Sequence, residues 1–510
     1  MAMPFYGKEF TFEQPDGTEV RLKGWGDQHH AVFETLDGFT VVPDPDTGLL
    51  HYAAPTPDGR ALAPIGGPLH AAEPSALGVR AGARVARGAA MDAVITGFEA
   101  LTVKRRCEVR RERAKAMLRT RLTALGATLA PPSRETTGSY VGLCLLIQFP
   151  SVSGTITPSQ VTAFCNQSGY SDYGNNGSVR DYFLDVSAGK FDYTNLVTPY
   201  YTAAQPRPYY TDPKVQYGDR ARELISEALT ALKSQGFDFT PLSCDDEGYV
   251  YAVNAFYAGK CPNFWGQGLW PHSSSLTSPL ELAPGMLAYD YQITNIGSDL
   301  SLATFCHENG HMVCDFPDLY DYGYESQGAG RFCLMGYGGA DAKNPSQVGA
   351  YLKYASGWAT KVTTVADGQV ELPASQGNEF LIHRHNAYEY FIMENRVQEG
   401  RDASLPDAGL AIWHVDELGR NDYEQQTQDL HYESALEQAD GRFHLETNPG
   451  SGGNTGDAHD LFSSGDGDLF APGTTPSSGW WDGSPSGLAV ATTGTPGSPI
   501  GLKVSLGAAG

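Results

Sequence analysis

Residues His307-Glu308-Asn309-Gly310-His311 form an H-E-x-x-H sequence, and the interpretation of the whole chain starts from them. One helical turn separates residues i and i+4, so both imidazoles lie on one face of a helix and can bind one metal ion. Glu308 lies beside them, where its carboxylate can take a proton from water. Apolar residues around the motif recur with the spacing of a helix buried on one side, at Leu302, Phe305, Cys306, Met312 and Val313. We therefore predict a helix over residues 300–314 that carries a zinc site.

The third metal ligand must come from the segment after this helix. A catalytic zinc usually has three protein ligands and one open position. Pro317 should end the helix and leave Asp318 in a turn that faces back toward His311. We predict Asp318 as the third ligand, and Asp315 and Asp321 remain alternatives because carboxylates are also common as turn and capping residues.

A glycine-rich turn, Cys333-Leu334-Met335-Gly336-Tyr337-Gly338-Gly339, follows downstream. It is similar to the Met-turn of metzincins, in which a methionine packs beneath the metal, although ordinary core packing is the alternative for Met335. Tyr337 is predicted to stabilise an oxyanion near the metal. Gly310 lowers helix propensity by roughly 1 kcal/mol relative to alanine, so we expect a neighbouring strand to approach it closely. Together these features predict zinc-dependent hydrolysis of peptide bonds.

The motif and the segment after it, Pro317-Asp318-Leu319-Tyr320-Asp321, also resemble a known family. HExGH followed by PDLYD is similar to the signature of the immune inhibitor A family of secreted bacterial zinc metallopeptidases. Members commonly have one residue fewer between the second His and PDLYD, and here Cys314 stands where metzincins have a Gly and Pro317 where they have a ligand. Further similar segments extend over most of the chain, at 14–18, 24–27, 37–42, 177–183, 187–191, 270–272, 389–396 and 412–417.

This resemblance implies a secreted endopeptidase with a metzincin-like catalytic domain, zinc and often calcium. The metal ligands it implies are His307, His311 and Asp318. The N-terminal region resembles the pro-region of that family, so residues 1 to about 135 are expected to keep the cleft closed until they are removed.

Composition bounds the remaining possibilities. The chain has 510 residues and a formal net charge of −24, which disfavours nucleic acid as a partner because phosphates would be repelled. No apolar run approaches the roughly 18–20 residues of a membrane span. We expect a monomer that acts on protein or peptide substrates. No signal peptide is visible after Met1, so the signal has been removed, export is unconventional, or the protein stays inside the cell.

We divide the chain into four parts and assign it to the α+β class. They are a β-rich pro-region at 1–78, a helical Arg-rich segment with a linker at 79–135, a zinc-peptidase catalytic domain at 136–360 and a β-rich region at 361–510. A continuous helix is predicted over 79–126, and its basic block either docks on the acidic catalytic body or forms a solvated face. That block consists of Arg105, Arg106, Arg110, Arg111, Arg113 and Arg119. Residues 130–135 are predicted to be the processing site.

Further elements follow from apolar periodicity. Residues 141–149 form a continuous apolar run typical of a buried strand, and 219–234 and 346–356 are predicted helices. Further strands are predicted at 249–257, 369–372, 380–382, 389–395 and 409–415.

Eight cysteines in an apparently exported enzyme predict disulfides, with buried free thiols as the alternative. The predicted pairs are Cys144–Cys165, Cys244–Cys261 and Cys314–Cys333. Two acidic segments, 457–460 and 466–468, are predicted to bind calcium, with solvated acidic turns as the alternative. His272, His414 and Asp416 are assigned a supporting role in the cleft. The alternative functions are a catalytically inactive, zinc-stabilised binding protein and a zinc hydrolase that acts on glycans.

Overall fold

The computed structural model of this protein describes residues 3–85, 104–125, 135–323, 325–422, 431–464, 469–497 and 499–507. Its strands form four separate sheets, and its helices lie mainly in the middle of the chain. This mixture of helices and several sheets is compatible with the predicted α+β class. Within the described ranges, no helix is long and apolar enough to cross a membrane.

The N-terminal region is an antiparallel sheet in which neighbours in sequence are also neighbours in space. Gly17 and Gly38 have φ values of 82° and 84° and form turns between neighbouring strands. The ring of Phe12 packs against Phe264 and Trp270 with centroid distances of 4.6 and 5.9 Å, so this sheet rests on the middle of the chain. Its strands are β1 (Phe5–Glu13), β2 (Glu19–Gly26), β3 (Ala31–Thr35), β4 (Thr40–Pro43), β5 (Leu50–Pro55) and β6 (Leu62–Pro68).

Two helices follow this sheet, α1 (Pro74–Leu77) and the long basic helix α2 (Arg106–Leu125). The prediction of one continuous helix over 79–126 is wrong for residues 79–85. Gly78 and Gly82 both have φ values of 66°, a left-handed conformation that ends α1 and prevents a new helix there. Residues 86–103, and residues 130–134 of the predicted processing site, lie outside the described part of the chain.

The central sheet has the strand order β10-β11-β9-β7-β8 and is parallel except for the β10–β11 pair. The apolar run predicted as a buried strand is β7, which contributes to cores on both faces. Leu143, Leu145 and Ile147 point to one core, and Cys144 and Leu146 to the other. The strands are β7 (Gly138–Gln148), β8 (Phe191–Thr202), β9 (Val253–Ala258), β10 (His272–Ala283) and β11 (Met286–Ile296).

Helices cover both faces of this sheet. One face carries α3, α4 and α7, and the opposite face carries α6. The predicted helices at 219–234 and 300–314 are present, whereas the one predicted at 346–356 is shorter, because Gly349 is still extended where it caps α8. The helices are α3 (Pro158–Asn166), α4 (Val179–Val186), α5 (Arg207–Tyr210), α6 (Asp219–Ser234), α7 (Leu302–Cys314) and α8 (Ala350–Ala355).

The C-terminal region consists of two sheets that enclose a core between them. The other face of the first sheet packs on the core that contains α7, through Tyr390, Ile392 and Trp413. One hydrophobic core therefore crosses the boundary predicted at residue 360. The first sheet contains β12 (Lys361–Thr364), β14 (Glu379–Arg384), β15 (Glu389–Arg396), β16 (Gly409–Asp416) and β17 (Ser434–Leu436). The second contains β13 (Gly368–Leu372), β18 (Leu469–Phe470), β19 (Leu488–Thr492) and β20 (Ile500–Leu506).

Arg396, at the end of β15, is a fully buried cation that ties this sheet to the segment before the glycine-rich turn. It pairs with Glu394 at 3.1 Å and Asp402 at 2.8 Å. Its Nη1 also donates to the Phe332 carbonyl at 2.9 Å, one residue before the glycine-rich turn. Because an unpaired buried charge is costly, this network fixes the position of that turn.

Candidate metal centre

The two histidines of the H-E-x-x-H motif are buried on α7 and face each other. Their Nε2 atoms are 3.2 Å apart. The Nδ1 atom of His307 lies 3.0 Å from the Leu334 carbonyl, and that of His311 lies 2.7 Å from the Phe316 carbonyl. A carbonyl only accepts, so each Nδ1 carries the proton and each Nε2 presents a lone pair to the other. This is the arrangement of paired metal ligands.

Asp318 completes a triangle with these histidines. Its Oδ1 lies 3.2 Å from the Nε2 of His307 and 3.2 Å from that of His311. Ligands at zinc distances in a tetrahedral site are about 3.3 Å apart, so the three atoms match three corners around one ion. The three side chains fit zinc, and a fourth corner is left for water.

The two alternative third ligands have other partners. Asp315 has a φ of 58°, ends α7 in a left-handed cap, and pairs with Arg110 at 2.8 Å. The Asp321 carboxylate accepts hydrogen bonds from the backbone of Gly323 and Glu325 in the following turn. The chain leaves α7 through the left-handed cap at Asp315, and Asp318 follows three residues later.

Glu308 is buried beside His307 on α7. Arg105 of the N-terminal region lies within electrostatic range of Glu308. Asn309, the next residue of the motif, exchanges hydrogen bonds with the Asn254 side chain on β9. This amide pair holds α7 on the central sheet and was not predicted from the sequence.

The glycine-rich turn packs directly on α7. A Cβ placed on Gly310 would lie 2.9 Å from the Met335 sulfur and 3.2 Å from Phe316. The prediction that a strand approaches Gly310 is therefore wrong. The close contacts come from the glycine-rich turn and from the segment that follows α7. The Met335 carbonyl also accepts from the Leu319 backbone at 2.8 Å, which fixes the chain next to Asp318.

Tyr337 lies in a cluster of tyrosines beside this turn, with Tyr6, Tyr320 and Tyr322. Its hydroxyl is buried and has no hydrogen-bond partner in the described part of the chain. Burial, followed by Asp27 and Asp321, raises the pKa of this phenol well above its ordinary value. Its role at an oxyanion stays a prediction.

Tyr322 is the group that sequence reasoning missed. Its hydroxyl donates to the Oδ2 of Asp318 at 2.6 Å, which leaves Oδ1 directed at the histidines. The ring of His29, from the N-terminal sheet, lies 4.9 Å from the Tyr322 ring. Nearby, Gln28 accepts from the Ser273 backbone at 2.7 Å, so the turn after β2 is inserted beside the centre. These partners come together only in the folded chain, so no local sequence pattern could have identified them.

A second group of metal-ligand types lies in the C-terminal region. One ligand atom each from Asp440, His444 and Asp457 lies within 4.8 Å of the others. Asp457 belongs to the predicted calcium segment 457–460, and Asp460 of the same segment is fully buried. The other predicted segment, 466–468, lies outside the described residues.

The remaining polar residues singled out in the sequence belong to the scaffold. His272 is held between the Trp270 carbonyl and the Tyr291 hydroxyl, and burial lowers its pKa to about 3. His414 lies 3.1 Å from Glu389, and Asp416 lies 2.9 Å from His431. None of the three contacts the triangle of His307, His311 and Asp318 through a hydrogen bond or ion pair recorded among the described residues.

All eight cysteines, which lie within the described residues, are free thiols, so none of the three predicted disulfides is present. Cys144 and Cys165 do lie within hydrogen-bonding distance of each other, between β7 and α3. Cys314 and Cys333 are buried in the core around α7. Buried thiols of this kind pack as small apolar residues, which accounts for their positions without a bond. Cys244 and Cys261 belong to separate hydrophobic clusters.

Two comparisons with known proteins found no relative of this chain. A scan against protein-family models found no match to the chain, and a search of curated proteins also found none.

Proposed function

We propose that this protein is a zinc-dependent endopeptidase that hydrolyses peptide bonds in proteins and is made as a latent zymogen. The observation that carries the proposal is the triangle of ligand atoms from His307, His311 and Asp318, with edges of 3.2 Å. Two imidazole lone pairs facing each other and a carboxylate oxygen repel one another unless a cation lies between them. Zinc is the ion that two histidines and one carboxylate most often bind in hydrolases.

In this mechanism the three ligands hold the ion, and Tyr322 and the two backbone carbonyls orient them. Bound zinc supplies two effects: it lowers the pKa of water toward neutrality and polarises a carbonyl. Glu308 takes the proton of the attacking water and later delivers it to the leaving amine. Tyr337 is proposed to stabilise the developing oxyanion.

We also propose that the chain is a metzincin-like member of the immune inhibitor A family, secreted and monomeric. The helix α7, the turn at Met335 that packs under Gly310, and the Asp318 position support this assignment. The N-terminal region is the proposed pro-region. Its support is the insertion of residues 27–29 and Arg105 beside the centre, where they occupy space that a substrate needs.

Substitution of the proposed base tests this function. We expect Glu308→Gln to bind one zinc per chain and to lose hydrolysis of casein by about 10²–10⁴-fold after the pro-region is cleaved. The matched control is Glu371→Gln, an exposed position on β13. Metal analysis and a casein assay on both variants measure the outcome. Normal cleavage by Glu308→Gln would refute the mechanism, and bound zinc without hydrolysis in the unsubstituted protein would support the inactive binding protein instead.

We propose calcium for the acidic segment 457–460, where the carboxylates of Asp457 and Asp460, with Asp440 nearby, offer the oxygen ligands that this ion prefers. Burial, with Asp457 and Asp440 nearby, raises the pKa of Asp460 to about 7, and a bound cation would relieve this repulsion. Calcium should therefore raise the unfolding temperature, and Asp457→Asn should remove much of that increase, whereas the exposed control Asp482→Asn should not. An increase of equal size in all three proteins would exclude this site.

A further inference from the structure

The long basic helix α2 contacts the rest of the chain in part through a pocket for one arginine. The guanidinium of Arg110 donates from Nε and Nη2 to Asp315 at 2.9 and 2.8 Å, and from Nη1 to Asp245 at 3.2 Å. Nη2 also donates to the Met312 carbonyl at 2.8 Å. The Cζ atom lies 5.0 Å above the Tyr251 ring. We call Asp245, Tyr251, Asp315 and the Met312 carbonyl the Arg110 pocket.

The chemistry of this pocket is specific for a planar cation. A guanidinium presents parallel N–H groups that match a carboxylate, and its flat face stacks on an aromatic ring. The Met312 carbonyl belongs to the last turn of α7, where the helix dipole also favours a positive charge. Here Nε and Nη2 both donate to the same Asp315 oxygen, Oδ1. An ammonium group would meet the charges of Asp245 and Asp315 but could not reach both carboxylates and the Met312 carbonyl from one plane.

The pocket lies next to the metal centre. Asp315 follows the last residue of α7, and its backbone N–H donates to the His311 carbonyl at 3.0 Å. Arg105, five residues before Arg110, is close enough to Glu308 for an electrostatic interaction. A side chain in the Arg110 pocket is therefore about one helical turn from His311, a proposed metal ligand.

Docking of α2 keeps these carboxylates away from water. The Asp245 side chain is 1% exposed and the Asp315 side chain 8% exposed while Arg110 is in place. Beside them a cavity of about 360 Å³, lined in part by Phe316, Tyr351 and Glu433, leaves room for a neighbouring side chain. Once α2 has left, the pocket is open, negatively charged and still shaped by α7 and the central sheet.

We infer that the Arg110 pocket is a substrate subsite that binds an arginine side chain of the polypeptide being cleaved, and that Arg110 occupies it as a stand-in for substrate. The inference rests on the proposed function for the cleavage step. The pocket itself depends only on the contacts of Arg110 with the folded body, so binding and catalysis can be tested separately.

The binding arm starts from the full chain, with a recognition site for a sequence-specific protease placed at residues 130–134. The folded chain is cut at this site, and the pro-region is removed from the remaining body in high salt. A labelled synthetic peptide of residues 104–120 is titrated against this body by fluorescence anisotropy. We expect the Arg110→Ala peptide to lose about tenfold or more in affinity, as charge-assisted hydrogen bonds imply. The Arg119→Ala peptide is the matched control, because Arg119 is an exposed arginine of the same helix. Equal affinities of the two variant peptides would overturn the inference.

The substrate arm uses the same body with a random peptide library and mass analysis of the products. We expect cleavage sites to be enriched in arginine at one fixed position, and Asp245→Asn and Asp315→Asn to lose this enrichment while Glu371→Gln keeps it. Cleavage with no arginine preference, or a preference unchanged in both Asp variants, would overturn the inference. Absence of all cleavage would refute the peptidase function. The binding arm alone would then test whether the pocket binds arginine.

Discussion

Asp318 is the residue on which the centre depends most. Burial by itself raises the pKa of this carboxyl, but His311 and His307 outweigh burial and hold its pKa well below the usual range. This lowering of the Asp318 pKa belongs to the form in which the histidines are protonated, and a bound cation would replace that positive charge when both Nε2 atoms present lone pairs. Its second oxygen is occupied by Tyr322, which prevents the carboxylate from rotating away from the histidines.

Removal of the Tyr322 hydroxyl should weaken metal binding without removing a ligand. We expect Tyr322→Phe to lower zinc affinity by about tenfold or more, because residues that orient metal ligands typically contribute that much. Competition with a chromophoric chelator measures the affinity, and Tyr388→Phe, a half-buried tyrosine before β15, is the control. Unchanged zinc affinity in Tyr322→Phe would show that Asp318 is positioned by other contacts.

Individual residues of the centre differ in how far the sequence can predict them. His307 and His311 follow from a local helical spacing. Asp318 was predicted from a helix end at Pro317, but the helix ends earlier, at Cys314, with a left-handed cap at Asp315. Tyr322 could not be predicted, because its bond to Asp318 forms across an irregular turn with no periodic pattern. His29 lies near the centre because the N-terminal sheet packs there. The spacing of residues along the sequence gives no indication of this contact.

At the scale of elements, the first turn of α2 is fixed by a carboxylate from the central sheet. Asp290 on β11 accepts hydrogen bonds from the backbone N–H groups of Arg106 at 2.8 Å and Cys107 at 3.1 Å. These N–H groups have no partner inside the helix, so Asp290 acts as a cap supplied by another part of the chain.

Replacement of Asp290 should loosen the start of α2 alone. We expect Asp290→Ala to destabilise the first turn by about 1–2 kcal/mol, the usual effect of losing a cap, and Asp290→Asn to retain part of the stabilisation. Hydrogen exchange measured by mass spectrometry should show faster exchange at Arg106 and Cys107 in the Ala variant. The amides of β11 serve as the internal control, and equal rates in all three proteins would exclude the capping role.

Elements with clear apolar patterns were predictable, and those with buried polar residues were not. The run from Val141 to Phe149 and the helix over 219–234 are correctly predicted because apolar burial determines both. Strands β10 and β11 were missed because Ser273, Asp290 and Gln292 are buried there. These strands therefore lack the alternation of apolar and polar residues from which a strand is predicted. Their burial is possible because hydrogen bonds from the N-terminal region and β9 satisfy them.

At the scale of the whole molecule, the N-terminal region contacts the rest of the chain on two sides of the candidate metal centre. The turn after β2 lies against Ser273 and Tyr322, and α2 lies against the end of α7. Lys115 extends this second contact to Glu433 in the C-terminal region at 2.8 Å. Several partly buried ion pairs together can hold a separable segment in place where single exposed pairs cannot.

The intact chain should consequently be nearly inactive. A docked fraction of roughly 99% requires about 2.8 kcal/mol of docking free energy, so we expect the uncut chain to have about one hundredth of the activity of the cut form. Casein hydrolysis before and after cleavage at residues 130–134 measures this ratio. Equal activities before and after cutting would show that the N-terminal region leaves the cleft open.

The hydrophobic core shared by α7 and the first C-terminal sheet has a consequence for shortened forms of the chain. Removal of the residues after 360 would expose the apolar residues of α7 that now share a core with Tyr390, Ile392 and Trp413. Removal of the N-terminal sheet would in turn expose Phe264 and Trp270, which pack on Phe12. A shortened form that stays folded must therefore cover one of these apolar surfaces in another way.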